Sequence, residues 1–345
     1  MNKIIQEDVV NFSKNFSLSN ELRDTTFLIT GATGLIGSTL IHCLLALSVN
    51  IKIIAPVRNI DKARQKFDNS EMPFIKLIEC NLQNFNYNSL DNIDFVIHCA
   101  APTASKFFVE HPVDTFTSIY DVTKVLLNFA NQKKIKAFVF LSSLEVYGEI
   151  KDDSQMVNEN VQGYLDPLSV RSCYPMAKRA AECLCCLYAA QYGVPVKIAR
   201  LTQTTGAGID KDDNRVIAQF ARLAANGQDI VLHTTGESAR PYCYTTDSIS
   251  GILFILLRGQ IGEAYNIANE DTYISARQMA EFAKDNINNT IKVKIELNDN
   301  MGYAPPTKQK LSATKLTSLG WVPKYGLEQI FERLVKYFKD GKTEY

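Results

Sequence analysis

The sequence predicts a doubly wound α/β fold with a smaller second lobe, and three observations predict it. A β-favouring run, TFLIT (26–30), leads into the glycine-rich GATGLIG (31–37) and then into the apolar-periodic LIHCLLAL (40–47), which reads as strand, turn and helix. Four more compact apolar runs follow, IKIIAPV (51–57), DFVIHCA (94–100), AFVFLSS (137–143) and VKIAR (196–200), spaced widely enough for crossover helices. Such near-continuous apolar strands suit a parallel sheet covered on both faces. Beyond Arg200 the rhythm changes to segments rich in Gly, Thr and charge, QTTGAGIDKDDNR (203–215) and HTTGESARP (233–241), which suit binding loops on a rigid scaffold.

In chain order, residues 1–24 place Ile4, Ile5, Val9, Phe12 and Phe16 on a helical period, so an amphipathic extension should lie against the body. Residues 25–202 form the sheet-bearing domain. Residues 203–345 form mainly a substrate-binding lobe, with the helix-like VIAQFARLAANG (216–227) between its two loop segments. A return to the first domain is expected over 242–268, through SISGILFILLRG and AYNIAN. The length of 345 residues agrees with about two domains at roughly 150 residues each.

Composition excludes several classes. Lys plus Arg and Asp plus Glu both total 37, so a neutral chain offers no basic stripe for nucleic acid or an anionic membrane. The densest apolar stretch, Ile252 to Leu257, is too short to span a bilayer, and the first residues lack the pattern of a secretion signal. Eight cysteines, three crowded at Cys183, Cys185 and Cys186, do not form a spaced disulfide framework, so a reducing cytoplasm is expected. The four histidines show no ligand spacing, and no metal site is expected. Lys133, Lys134 and Lys136 read as a solvated helix end.

Two motifs carry chemistry. In TGATGLIG (30–37), Gly31 would permit the tight turn, Gly34 would let backbone amides approach a pyrophosphate at the helix N-terminus, and Gly37 would let helix and strand pack closely. Tyr174 and Lys178 stand four apart on one face of a predicted helix that Pro175 suits at its start and Gly193 ends. An ammonium near a phenol favours the phenolate, so the pair is expected to lower the tyrosine pKa and create a base.

Six motifs in one order resemble the extended short-chain dehydrogenase/reductase superfamily, in its nucleotide-sugar epimerase/dehydratase branch. They are TGATGLIG (30–37), HCAAP (98–102), LSSLEVYG (141–148), YPMAK (174–178), RLTQTTG (200–206) and RPYCYTTD (240–247). The resemblance implies a Rossmann-like dinucleotide-binding domain over 25–202. It implies that Tyr174 takes a proton from a sugar C4 hydroxyl while hydride leaves the same carbon, that Lys178 supports the phenolate and the nicotinamide ribose, and that Ser143 hydrogen-bonds the reacting oxygen. Glu145 would then move a proton at the neighbouring carbon. Leu144 stands where 4,6-dehydratases carry an acid, so an ordinary 4,6-elimination is disfavoured and a decarboxylase is compatible.

For the cofactor, the resemblance implies Gly31, Thr33, Gly34, Leu35, Ile36 and Gly37, then Asn81 and Leu82, Ala100 and Ala101, with Tyr174 and Lys178. The second strand ends without the acid that usually binds the ribose, and Arg58 there could face a 2′-phosphate. The resemblance favours NAD and leaves NADP open. Arg240 falls on the family's substrate arginine, Gln203 stands where relatives usually have Asn, and Arg215 is expected to face the nucleotide. A homodimer through helices around 117–131 and 174–192, and a setting in surface polysaccharide biosynthesis, are implied as well. A simple 4-epimerase, a nucleotide-sugar 4-reductase and a catalytically silent dinucleotide-binding sensor are the alternatives.

Overall fold

Each compact apolar run becomes a buried strand. The computed structural model describes residues 1–150, 152–298 and 306–340. The chain opens with helix α1 (Lys3–Asn15), whose N-terminal amide at Ile4 is capped by Asn2. Strand β1 (Thr26–Thr30) passes through the glycine turn into α2 (Leu35–Ala46), followed by β2 (Lys52–Val57), the short α3 (Ile60–Arg64), β3 (Ile75–Glu79) and β4 (Phe95–His98). Next come α4 (Ser105–Glu110), α5 (Pro112–Lys133), β5 (Ala137–Ser143), α6 (Cys173–Tyr192) and β6 (Val196–Leu201).

The second half runs through β7 (Gln203–Thr205), α7 (Val216–Asn226), β8 (Ile230–Leu232), β9 (Ala239–Tyr244), α8 (Thr245–Arg258) and β10 (Ala264–Ile267). It then adds β11 (Asn269–Ser275), α9 (Ala276–Phe282), β12 (Val293–Ile295), α10 (Thr314–Thr317) and α11 (Leu327–Asp340).

A seven-stranded sheet orders these strands β10-β6-β5-β4-β1-β2-β3, with every neighbouring pair parallel. The order reverses between β1 and β4, and in such sheets the crevice at the carboxyl ends of those strands is where a ligand binds. One face is buried under α1, α2 and α8, with Phe12, Leu40, Leu44, Ile252 and Leu256 in its core. The other is buried under α5 and α6, with Leu126, Phe129, Ala177 and Ala181. A third core, including Phe220, Phe331, Leu334 and Phe338, gathers α7, α9 and α11 around the second lobe.

The second half of the chain divides more finely than a cut at residue 203. Helix α8 lies under the main sheet and β10 extends its edge beside β6. Ala313, Leu316 and Trp321 also bury themselves in the main-sheet core, because the Trp321 indole N–H donates to the Asp247 carbonyl (3.1 Å) and the Ser250 hydroxyl (2.8 Å) of α8. The lobe itself rests on β7, β9 and β11, with a register irregularity between Asn269 and Ile274, and on the small β8–β12 pair. Residues 299–305 and 341–345 of the expected lobe lie outside the described residues.

Candidate active site

The glycine turn has the geometry its spacing implies. Gly31 has φ +73°, and a Cβ there would meet the backbone of Cys99 and Ala100 at 2.8–2.9 Å, which brings β1 and β4 together at the crevice. A Cβ on Gly37 would fall 2.2 Å from the Gly31 carbonyl oxygen, so the helix can approach the turn only without a side chain. Gly34 differs: its Cβ would meet nothing nearer than that carbonyl oxygen at 3.5 Å, and its side faces open space. As the N-cap of α2 it has no side chain to satisfy the first helical amides, which leaves them for an outside acceptor. These features fit the pyrophosphate of a dinucleotide. Thr33 is exposed at the same turn, with Leu35 and Ile36 half-buried, and the half-buried Ala100 and Ala101 follow β4, the Ala100 backbone lying against Gly31.

Farther along the crevice, Arg58 is exposed at the carboxyl end of β2. Asn81 is exposed after β3, where its side-chain oxygen accepts from the Gln83 amide at 3.0 Å, and Leu82 packs inward beside it. Both lie where the adenosine end of a dinucleotide would run from the glycine turn.

The carboxyl end of β5 brings together the residues expected to react. Ser143 ends the strand, its hydroxyl accepting from the Glu145 amide at 3.2 Å, and a 3₁₀ turn over Leu144–Tyr147 begins there. Tyr174 and Lys178, one turn apart on α6, are both buried against this end of the sheet. Lys178 Nζ donates to the Leu141 carbonyl oxygen at 2.7 Å and sits 4.7 Å from the Phe140 ring centre and 5.9 Å from that of Tyr174. Burial pushes its pKa down to about 8. His98, at the end of β4, shares a 2.7 Å hydrogen bond with Thr30, and burial with the Lys178 charge pushes it down to about 3, so it is neutral.

The expected lowering of the Tyr174 pKa is not found. Burial raises the phenol well above its ordinary value, the Glu145 charge adds to the rise, and Ser143 and Arg171 pull more weakly the other way. Lys178 Nζ donates to the Leu141 carbonyl and stands 5.9 Å from the phenol ring centre, and desolvation, the largest cause, decides the sign.

Three groups that the motifs did not single out complete the site. Arg171, in the 3₁₀ turn Val170–Ser172 just before α6, pairs with Glu145 at 3.1 Å. Phe108 of α4 lies flat on Tyr174, ring centres 4.4 Å apart and planes 11° from parallel. The turn carrying Glu145 is anchored from below: the Tyr147 hydroxyl donates to Asn266 (2.6 Å) and accepts from Arg200 (3.1 Å), which is itself paired with Glu182 at 2.7 Å. A signal for Arg171 did exist, since it stands three residues before Tyr174 at a helix entry. For Phe108 there was none, because it looks like any apolar helix residue.

The residues expected to grip substrate are less concentrated. Gln203 opens β7, half-buried beside β9. Arg240, in β9, donates to the Thr307 hydroxyl at 3.3 Å. Arg215 is held by Asp213 at 2.7 Å and donates to the Thr204 carbonyl at 2.8 Å, so its charge is already balanced. Leu144 is buried in a small apolar cluster with Val146, Tyr147, Val157, Ala268 and Leu311.

Comparison with known proteins bears on the family and the fold. The family model described as NAD dependent epimerase/dehydratase family matches residues 27–268. UDP-glucuronic acid decarboxylase 5 of Arabidopsis thaliana is 30% identical over 307 residues, covering 88% of this chain and 86% of that protein. Among solved structures, a UDP-glucose 4-epimerase from Thermotoga maritima with UDP-glucose superposes with a TM-score of 0.79 at 22% identity, covering 92% of this chain and all of the other. A UDP-glucuronic acid 4-epimerase from Bacillus cereus in complex with UDP-glucuronic acid and NAD gives 0.76 at 22% identity, covering 91% and 99%. These structural likenesses speak to the fold.

Proposed function

The chain belongs to the NAD-dependent epimerase/dehydratase family, and from that premise we propose that it oxidises C4 of a nucleotide-activated sugar and then moves a proton at the adjacent carbon. The observation that carries this reading is the convergence of Ser143, Glu145, Tyr174 and Lys178 at the carboxyl end of β5, in the sheet crevice that also holds the glycine turn. When bound, NAD supplies the ring that accepts the C4 hydride and later returns it. Tyr174 takes the C4 hydroxyl proton and Ser143 orients that oxygen by a hydrogen bond. Lys178 places a positive charge behind the phenol, which helps it ionise once substrate closes the site. Arg240 and Gln203 are the proposed contacts to the substrate's nucleotide diphosphate or sugar acid, since a guanidinium suits either anion. We give Arg215 no such contact, because Asp213 already neutralises it.

Of the reactions a C4 ketone permits, decarboxylation of a nucleotide-uronate is favoured by Leu144. Elimination of a 6-hydroxyl needs an acid to protonate the leaving oxygen, and a buried leucine in an apolar cluster cannot supply one. Carbon dioxide leaves a β-keto acid without such help: the C5–C6 bond pair stays on C5 as an enolate, and the half-buried Glu145 relays a proton from water to C5 and ends as the carboxylate it began. Similarity to the plant UDP-glucuronic acid decarboxylase supports the same choice. Mass spectrometry after incubation with UDP-, GDP-, CDP- and dTDP-linked sugars and uronates should show loss of carbon dioxide from a uronate. Loss of water or an unchanged mass would replace this reading with dehydration or epimerisation.

Glu145→Gln should leave the oxidation intact and slow the later step by about 10²-fold or more, trapping reduced cofactor and keto sugar. Full product formation by the variant would remove Glu145 from the reaction.

We also propose a homodimer in a reducing cytoplasm. All eight cysteines are free, and the paired helices α5 and α6 present exposed Val113 and Leu187 that a second copy could cover. Light scattering coupled to gel filtration should give twice the chain mass, and a monomer at all concentrations would contradict it. Among the described residues no helix is long and apolar enough to cross a membrane.

A further inference from the structure

We propose that Arg171 is a positioning residue that ties the two proton-transfer groups together, holding Glu145 in the site and pressing Phe108 onto Tyr174; this rests on the reaction proposed above. Three contacts meet on one guanidinium. Its Nη2 donates to one Glu145 carboxylate oxygen at 3.3 Å and lies 3.1 Å from the other, so one guanidinium nitrogen spans the carboxylate. Its central carbon sits 5.0 Å from the centre of the Phe108 ring, and that ring is stacked on Tyr174 at 4.4 Å. Phe108 therefore meets both Arg171 and Tyr174, and the same guanidinium holds the Glu145 carboxylate. The Cys173 thiol, donating to the Phe108 carbonyl oxygen at 3.3 Å, ties the backbone of α4 to the start of α6 in the same place.

The electrostatic surroundings give the arginine a second part beside its contacts. Tyr174 faces Glu145 from the 3₁₀ turn, Arg171 from the turn before its own helix, Lys178 one helical turn on and the neutral Ser143 from β5. Helix α4 brings only the Phe108 ring, because its own charges, Lys106 and Glu110, pair with each other on an exposed side. An unbalanced Glu145 would oppose the phenolate on which oxidation depends, and the incoming carboxylate of a uronate would add a second negative charge. Arg171 is the cation paired with Glu145, so it offsets that charge beside the phenol.

The test uses NAD-loaded enzyme carrying Arg171→Gln or Arg171→Lys. In Arg171→Gln, reduction of bound cofactor by substrate in a single turnover should slow about 10- to 100-fold with little change in substrate affinity. The alkaline rise of its pH profile should also move upward, by at least about half a unit. Arg171→Lys, which keeps the charge but not the planar guanidinium beside Phe108, should return the pH profile to its original place while recovering only part of the rate. A rate loss with an unmoved profile, no rate loss, or a lysine variant no better than glutamine in the profile would each overturn the proposal. Crystal structures of the two variants give a readout independent of turnover: Glu145 and Phe108 should leave Tyr174 in the glutamine variant, and finding both in place would refute the positioning role. Failure of the unaltered enzyme to oxidise any nucleotide sugar would sink the proposed function instead, and the crystal structures would still decide the role of Arg171.

Discussion

Replacing Tyr174 with phenylalanine should abolish reduction of bound NAD by the nucleotide sugar, with a loss of about 10²–10⁴-fold, the contribution of a positioned base. The substitution removes one oxygen and keeps the ring, so the stack on Phe108 and the contacts that bury the residue survive. Stability should accordingly stay within about 1–2 kcal/mol of the unaltered protein, since only the hydrogen bonding of one hydroxyl is lost. Affinity for NAD and for the sugar nucleotide should hardly change. The measurement is the rise of the nicotinamide absorbance in a single turnover beside a denaturant unfolding curve. Undiminished reduction would mean that the proton leaves by another route, and a collapsed unfolding curve would mean that the phenol serves the fold.

The second large effect concerns the glycine turn, where two neighbouring glycines should respond differently to the same methyl group. Gly37→Ala forces a Cβ to within 2.2 Å of the Gly31 carbonyl oxygen and 2.8 Å of its carbon, both backbone atoms that cannot swing aside. Displacing them should cost about 1–3 kcal/mol of stability, as overpacking does, and should distort the turn enough to lose cofactor binding. Gly34→Ala meets only ordinary contact at 3.5 Å and has φ −78°, which any residue adopts. Its methyl group points instead into the space where a pyrophosphate would lie, so it should spare stability and weaken NAD binding. Titration with NAD and chemical denaturation of both variants check this. If Gly34→Ala binds NAD normally, the phosphates do not lie over that residue.

Much of the fold was readable because parallel strands are buried on both faces and leave compact apolar runs; β1, β2, β4, β5 and β6 coincide with the five runs that predicted them. The turn between β1 and α2 was readable for a related reason, since positive φ at Gly31 and the crowding at Gly37 restrict the residue type at each point. Less legible was whatever depends on elements distant in sequence. That residues 313–321 return to the main-sheet core rests on Trp321 finding partners in α8, more than 70 residues earlier, which no local pattern encodes. The stack of Phe108 on Tyr174 likewise joins helices separated by α5, β5 and a long loop.

The sign of the Tyr174 shift failed for an instructive reason. A Tyr and a Lys four apart on a helix share a face, but the spacing does not say how deeply that face is buried or where the amine finds its acceptor. Here the Leu141 carbonyl takes the ammonium and burial raises the phenol, so the base must be made by what enters the site as well as by Lys178. Arg215 shows the same limit in the other direction: an exposed arginine beside DKDDN looked available, and Asp213 occupies it.

The central claim is that hydride leaves sugar C4 and rests on the nicotinamide before the second step. Rapid mixing of the NAD-loaded enzyme with a nucleotide-uronate, unlabelled or carrying deuterium at C4, tests it most directly. The nicotinamide band should rise and then fall as product forms, and deuterium should slow the rise. Product appearing with no transient absorbance and at the same rate from both substrates would contradict the account.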